Sequence, residues 1–465
     1  MNNSPSRGLV WIRRDLRLYD HHALSLATQQ FKYVQILFNF DTDILSKLDS
    51  PQEDARVLFI RDSLLDLASL LKQKNPQASL LISYGPAIDE IPFWCKKLNI
   101  QHVFSNEDYE PYAKVRDEAV RTRLQKMGIQ FTQLKDQVIF RSQEVLSKDG
   151  NPFKVFTPYK NTWIKRINLE INHRLVNHAI QTDHLASFTT ETHEFWEDLK
   201  KISHPLPLPA GTQGATTLWK IFEKKLPHYH LKRDLIAIDG TSLLSVHLRF
   251  GTVSIRHLLR KLWEREDFAL PGIQTWLSEL IWREFYQGIL DLNPHVQSGS
   301  YKKQYDAIQW KGTQEHFDKW CLGMTGYPII DAGMRMLNQT GMMPNRLRMI
   351  VATFLCKTLL VDWKKGEQYF AKKLLDFDLS ANNGGWQWCA STGTDAQPYF
   401  RIFNPHTQSE KFDPEASFIK KFCPELEKQS PQEIHQIKNL PPSYPTKIVV
   451  YESQRAKALS MYKDL

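Results

Sequence analysis

Residues 79–107 read SLLISYGPAIDEIPFWCKKLNIQHVFSNE. Two short apolar runs, SLLISYG (79–85) and QHVFSNE (101–107), flank a helical pattern over 86–98. Strand, helix and strand in that order is a βαβ unit. The alternation continues on both sides. GLVWI (8–12) and YVQILFNF (33–40) precede it, and IQFTQL (129–134) follows. Helical patterns occupy 20–29, 54–73 and 112–127. Alternating βα units imply a parallel sheet covered by helices, a Rossmann-like α/β domain over residues 1–135. No GxGxxG follows the first strand, so the fold alone does not suggest a dinucleotide there.

The pattern changes after residue 135. Residues 136–205 are polar, His-rich and weakly periodic, running into HPLPLPAG (204–211). Proline there favours extended chain, so the segment is expected to link two domains. Residues 206–465 read as a mostly α domain, with clear helical patterns at 252–266, 273–291, 328–340 and 344–361.

Composition narrows the partners. The formal net charge is +9, which fits an anionic partner such as nucleic acid. Aromatic residues make up 12%, enough to offer stacking surfaces besides core. The five cysteines are scattered without a CxxC pair, against a disulfide framework or a zinc or iron–sulfur site. No metal is expected. The N-terminus lacks the apolar stretch of a signal peptide. The longest apolar run, MIVATFLCKTLLV, is short and holds Lys357. A cytoplasmic monomer that avoids membranes is the expectation.

Five stretches can carry chemistry. GTSLLS (240–245) precedes a helical stretch and can cradle a phosphate, or Thr241 or Ser242 can simply cap the helix. In WLSELIWREFY (276–286), Trp276, Glu279, Arg283 and Tyr286 share one helical side, with Trp282 at its edge. Glu279 and Arg283 can form a surface i,i+4 pair, but the aromatic neighbours fit a cavity wall better. PNRLRMIVATFL (344–355) starts with a helix-initiating proline. Leu347, Ile350, Val351, Phe354 and Leu355 form its core stripe, with Asn345, Arg348, Met349 and Ala352 opposite. In LLDFDLSANNGGWQWCASTGTD (374–395), Asp376 and Asp378 are close carboxylates, and NN and GG mark a turn. A metal or an acid pair is open there on residue types alone. YFRIFNPHTQSEKF (399–412) interleaves Arg401, Gln408 and Lys411 with aromatics, as nucleic-acid contacts do.

Taken together these stretches resemble the photolyase/cryptochrome family. WLSELIWREFY, TGYPIIDAGMR (325–335), NRLRM (345–349), SANNGGWQW (380–388), STGTD (391–395) and PYFRIFNP (398–405) match its signatures in order and spacing. VWIRRDLRLYDHHAL (10–24) matches as well, so the likeness spans the chain. It is closest to class I cyclobutane pyrimidine dimer photolyases. The resemblance implies an α/β domain, a linker and a helical domain holding FAD. By position Tyr229, Thr241, Ser242, Leu243, Leu244, Ser245, Trp276, Arg283, Asn345, Arg348, Asp376, Asp378 and Asn382 touch FAD. Arg348 and Asp376 pair beside the isoalloxazine, and Asn382 sits near N5.

The implied activity is light-driven splitting of pyrimidine dimers by an electron from reduced anionic FAD, on a dimer extruded from the stack. The resemblance makes Glu279 a hydrogen-bond partner of the thymine edge, in neutral form if it is buried without a cation of its own. Trp282, Trp388, Met349 and Tyr286 face the dimer. Arg233, Arg346, Arg401 and Gln408 hold the surrounding DNA. Trp386, Trp363 and Trp310 match an electron-hopping chain from the surface at Trp310 inward. Met342 and Pro344 depart from the family pattern, where tryptophan and histidine often stand. For a second, antenna chromophore the expectation is methenyltetrahydrofolate first and deazaflavin second, although Tyr112, Ala113 and Lys302 do not match the folate pattern. The rival reading is a cryptochrome, a blue-light signalling protein of the same fold. A (6-4) photolyase lacks support because its histidine pair is missing.

Overall fold

The computed structural model describes residues 6–463. The chain divides into two compact units, Met1–Val145 with Thr162–Ile221 and Ser242–Phe268, and Leu146–Asn161 with Phe222–Thr241 and Ala269–Leu465.

In the first unit, all five apolar runs become strands. They are β1 (Arg7–Ile12), β2 (Tyr33–Asp41), β3 (Leu80–Gly85), β4 (His102–Asn106) and β5 (Gln130–Leu134). They form one parallel sheet in the order β3-β2-β1-β4-β5. Val10 of the central strand stands opposite Ile36 on one side and Phe104 on the other. Leu9, Val10, Trp11 and Ile12 are all buried, which explains a continuous rather than alternating apolar run. The connecting helices include His22–Gln30, Ala55–Lys74, Ala87–Lys97 and Pro111–Lys126. The order reverses between β1 and β4, the switch point where such sheets usually seat ligands.

Ser242–Phe268 is tied into this unit by buried charge. Arg17 and Arg256 both reach Asp136, at 2.7 and 2.6 Å. Arg256 and Arg260 reach Asp20, at 3.2 and 2.8 Å. Burial opposes ionisation of Asp136, but Arg17 and Arg256 outweigh it and hold its carboxyl far below the usual range.

The stretch expected to be extended linker contains two helices, Phe156–Arg174 and Glu194–Lys201. Glu170 has non-helical angles inside the first. Phe156, Tyr159, Trp163 and Ile167 are buried at helical spacing, a stripe that the surrounding polar residues obscured. The proline segment from Ser203 to Leu206 is irregular.

The second unit is helical. Its core gathers Ile330, Leu337, Leu347, Val351, Leu355 and Trp386. Helix Asn345–Lys357 buries the expected stripe of Leu347, Ile350, Val351, Phe354 and Leu355. Its opposite side is only partly solvated: Asn345 is exposed, Arg348 and Met349 are half-buried and Ala352 is buried. Among the described residues no helix is long and apolar enough to cross a membrane.

Candidate active site

The NN and GG turn does not exist. Leu379–Cys389 is a helix, and tertiary partners impose it. Asp378 caps it, accepting from the N–H groups of Ser380 and Ala381 at 3.1 and 3.2 Å. Asn383 donates to the Val296 carbonyl at 2.8 Å, and Gln387 donates to Val296 and Gly299, each at 3.2 Å. Gly384 is needed for contact: a Cβ there would lie 2.2 Å from the Tyr286 ring. These contacts offset the roughly 1 kcal/mol that each interior glycine costs a helix. The helix packs on Pro271–Leu292, Asn345–Lys357 and Trp363–Lys373, and so gathers three of the motifs.

The expected flavin residues separate by role. Arg348 Nη2 meets both Asp376 oxygens at 2.9 and 2.8 Å, and its Nε donates to the Met343 carbonyl. With Asp376 on Arg348 and Asp378 on a helix end, the two carboxylates form no metal or acid pair. Among the described residues no cluster of His, Cys, Asp and Glu could hold a metal. Asn382 is buried, and its Nδ2 donates to Glu367 Oε1 at 2.8 Å and to the Glu367 carbonyl at 3.1 Å. Burial raises the Glu367 pKa, and the Asn382 bond opposes that rise.

Asn382 Oδ1 receives no donor among the described residues. Gly385, three positions on and so on the same helical face, would place a Cβ within 4 Å of nothing. An uncommitted amide oxygen beside bare backbone suits the edge of a flat heteroaromatic ring. Trp276 and Tyr229 are buried and both pack on Phe222, at 5.3 and 5.6 Å. Arg283 is half-buried on the same helix as Trp276, and Asn345 is exposed at the start of its own helix.

Thr241 belongs to the second unit and Ser242–Ser245 to the first. Neither Thr241 nor Ser242 caps the following helix Ser245–Phe250. Leu244 is the N-cap, without a side-chain bond, and Ser242 Oγ accepts from the Leu244 N–H at 3.3 Å. Leu243 is held at φ +55°, a conformation that a bulky side chain rarely adopts.

On the proposed DNA face, Glu279 has a cation of its own. Arg233 Nη1 donates to its Oε1 at 2.5 Å, and the carboxylate is 30% exposed. Its ion partner is Arg233 rather than Arg283, so it is not a carboxyl without a cation of its own. Asp234, which sequence reasoning missed, organises this surface. It lies 3.7 Å from Arg233 and accepts from Arg346 at 2.7 Å. Arg346 also lies over the Phe412 ring at 4.5 Å. The adjacent Arg–Asp in RDL (233–235) was the available signal. Trp282, Met349, Tyr286 and Trp388 are half-buried. Arg401 is exposed, and its carbonyl accepts from the buried Lys357 at 3.3 Å. Gln408 is half-buried with its Oε1 unpaired.

Trp363 and Trp386 are buried, and Trp310, half-buried, packs against the same core. The nearest rings to Trp386 are Phe370 at 5.0 Å and Trp320 at 6.0 Å.

In the first unit the switch point is filled by paired charges. Arg13 meets Asp117, Arg14 meets Asp108 and Glu110, and Arg116 meets Asp117 and Asp41. Tyr112 donates to Asp41 at 2.8 Å, and Ala113 is buried. Burial would raise the Asp108 pKa, but Arg14, Arg13, Arg249 and Arg116 together hold it below the usual value. Lys302 is exposed in the second unit.

Two family models match the chain: DNA photolyase over residues 8–178, and the FAD binding domain of DNA photolyase over 276–464. A deoxyribodipyrimidine photo-lyase of Vibrio cholerae is 37% identical over 98% of this chain and 99% of its own. The crystal structure of a bacterial class III photolyase from Agrobacterium tumefaciens has a TM-score of 0.89 at 30% identity, covering 100% of this chain and 98% of that one. An archaeal photolyase from Sulfolobus tokodaii with two FAD molecules has a TM-score of 0.81 at 34% identity, covering 99% of this chain and 100% of that one.

Proposed function

The chain belongs to the DNA photolyase family and carries its FAD-binding domain, and from that premise we propose that it repairs cyclobutane pyrimidine dimers in DNA in light. The observation that carries the reading is the Arg233–Glu279 pair, one helical turn from Trp282, together with helix Leu379–Cys389, which carries Asn382 and packs both on the Glu279 helix and on Asn345–Lys357, the helix of the Asp376 partner Arg348. Bound FAD supplies the electron that light moves onto the dimer. The chain's own residues bind and orient.

A thymine edge presents carbonyl acceptors and one imide N–H donor. Glu279 accepts from the N–H, while its partner Arg233 donates to a carbonyl. The pair thus reads the edge as a unit. Trp282 and Trp388 supply flat apolar faces for the extruded bases. Arg346 and Arg401 meet phosphates, and the net charge of +9 supports the same partner. Asn382 holds its amide oxygen toward the flavin edge through its two bonds to Glu367. Trp386, Trp363 and Trp310 supply electrons to the oxidised cofactor. The enzyme acts as a monomer inside the cell. A second chromophore, methenyltetrahydrofolate before deazaflavin, completes the reading, and the paired charges at the sheet's switch point argue for a seat elsewhere.

The test is a dimer-containing oligonucleotide with the FAD-loaded protein under blue light and in the dark. Repair in light alone is expected; photochemistry without repair in either arm would favour the cryptochrome reading. Glu279→Ala is expected to weaken dimer binding about tenfold or more, the scale of a charge-assisted hydrogen bond, and to lower repair yield. The flavin absorbance should stay. Unaltered dimer affinity in this variant would remove Glu279 from recognition.

A further inference from the structure

Leu146–Asn161 belongs to the helical unit although it follows the α/β sheet in sequence. Within it, Phe156 lies face to face with Trp282, their ring centroids 3.6 Å apart and their planes 9° from parallel. Phe285 stands edge-on to both, at 5.8 and 5.6 Å, and Tyr286 leans on Trp282 at 5.3 Å. The Phe156 side of the indole is therefore closed by protein.

The segment is fastened twice. The Phe156 N–H donates to Asp395 Oδ2 at 3.1 Å, and Thr394 Oγ1 donates to the Lys154 carbonyl at 2.6 Å. Thr394 and Asp395 lie in the loop that follows Trp388 and the end of its helix at Cys389, and Asp395 takes a left-handed backbone at φ +44°. The loop that leaves Trp388 thus holds the residue that backs Trp282. Tyr159, one turn along, packs on Phe285 at 5.1 Å and extends the brace.

We propose that Phe156 is a positioning residue of the dimer site: it fixes the Trp282 indole so that one face is presented to the damaged bases, and the Thr394–Asp395 tether sets that wall relative to Trp388. This rests on the reading that Trp282 and Trp388 receive the dimer. An indole held in one orientation loses little further freedom on binding, so its stacking energy goes into affinity. An undamaged duplex, whose bases stay in the stack, gains nothing from the same wall. Phe156 therefore contributes to discrimination rather than to general DNA affinity.

The test uses the full-length, FAD-loaded protein with dimer-containing and undamaged oligonucleotides, binding measured in the dark. Phe156→Ala is expected to raise Kd for the dimer about five- to tenfold, a range set by aromatic pair energies. Kd for undamaged DNA should not move, and the loss in turnover should fall on KM rather than kcat. Phe156→Tyr, which keeps the ring, should restore discrimination. Discrimination equal to wild type in Phe156→Ala would overturn the proposal. Should that variant lose FAD, Phe156→Leu decides, since it keeps apolar volume without a ring: wild-type discrimination overturns the proposal, and a reduced ratio with normal flavin content supports it. If the wild type itself does not distinguish dimer from undamaged DNA, the repair reading fails first, and that outcome is separate.

Discussion

Gly384→Ala is expected to lower the melting temperature and to yield protein with a reduced flavin-to-protein absorbance ratio. A Cβ at this position falls 2.2 Å from Cδ1 and 2.4 Å from Cε1 of Tyr286. Neither atom is the loose end of a flexible chain, because Tyr286 sits on helix Pro271–Leu292 and leans on Trp282. The two helices must separate, and overpacking of this kind costs roughly 1–3 kcal/mol. The gain that alanine normally brings to a helix interior, about 1 kcal/mol, does not compensate. Because the displaced helices carry Asn382, Trp276 and Glu279, the damage reaches the cofactor and DNA faces together. Gly385→Ala, with open space at the same helix, is the paired control for flavin: it should leave the fold intact and act on cofactor retention alone. A Gly384→Ala protein with wild-type melting and flavin content would show that the contact is not the reason for the glycine.

Arg348→Ala is the second large effect. The Asp376 side chain is 4% exposed and Arg348 is 28% exposed, so removing the guanidinium strands a buried carboxylate. Breaking such a pair costs about 3–5 kcal/mol, and the partial exposure of Arg348 places the value near the lower end. Arg348→Lys should recover part of the loss, since an ammonium cannot repeat the contact to both oxygens while also serving the Met343 carbonyl. The double variant Arg348→Ala with Asp376→Ala should be more stable than Arg348→Ala alone, because no unpaired charge remains. Denaturant melts of the four proteins give the coupling as a double-mutant cycle. Strictly additive losses would mean that the two residues do not act as a pair.

Local pattern told most where a segment's partners lie along its own strand or helix. The five strands were legible because each is a continuous apolar run between helical patterns. The stripe of Leu347 to Leu355 was legible because helical spacing alone puts those residues on one side. The family likeness was legible because its motifs are contiguous words. By contrast, NN and GG within SANNGGWQWC mark a turn by local preference. The stretch is a helix because Val296, Gly299 and Tyr286 satisfy Asn383, Gln387 and the bare face of Gly384. The stripe of Phe156, Tyr159, Trp163 and Ile167 was hidden among lysines and asparagines.

The sequence by itself therefore determined the α/β and helical fold classes, the family and the set of residue types available for cofactor and DNA. Apart from the Arg348–Asp376 pair, which the family likeness implied, only the tertiary structure decided who partners whom. It assigned Arg233 to Glu279, Asp234 to Arg346, Glu367 to Asn382 and Phe156 to Trp282. The physical reason is range. A periodic apolar face is encoded within one turn or one strand, whereas an ion pair or a ring stack between distant segments exists only after the chain has packed.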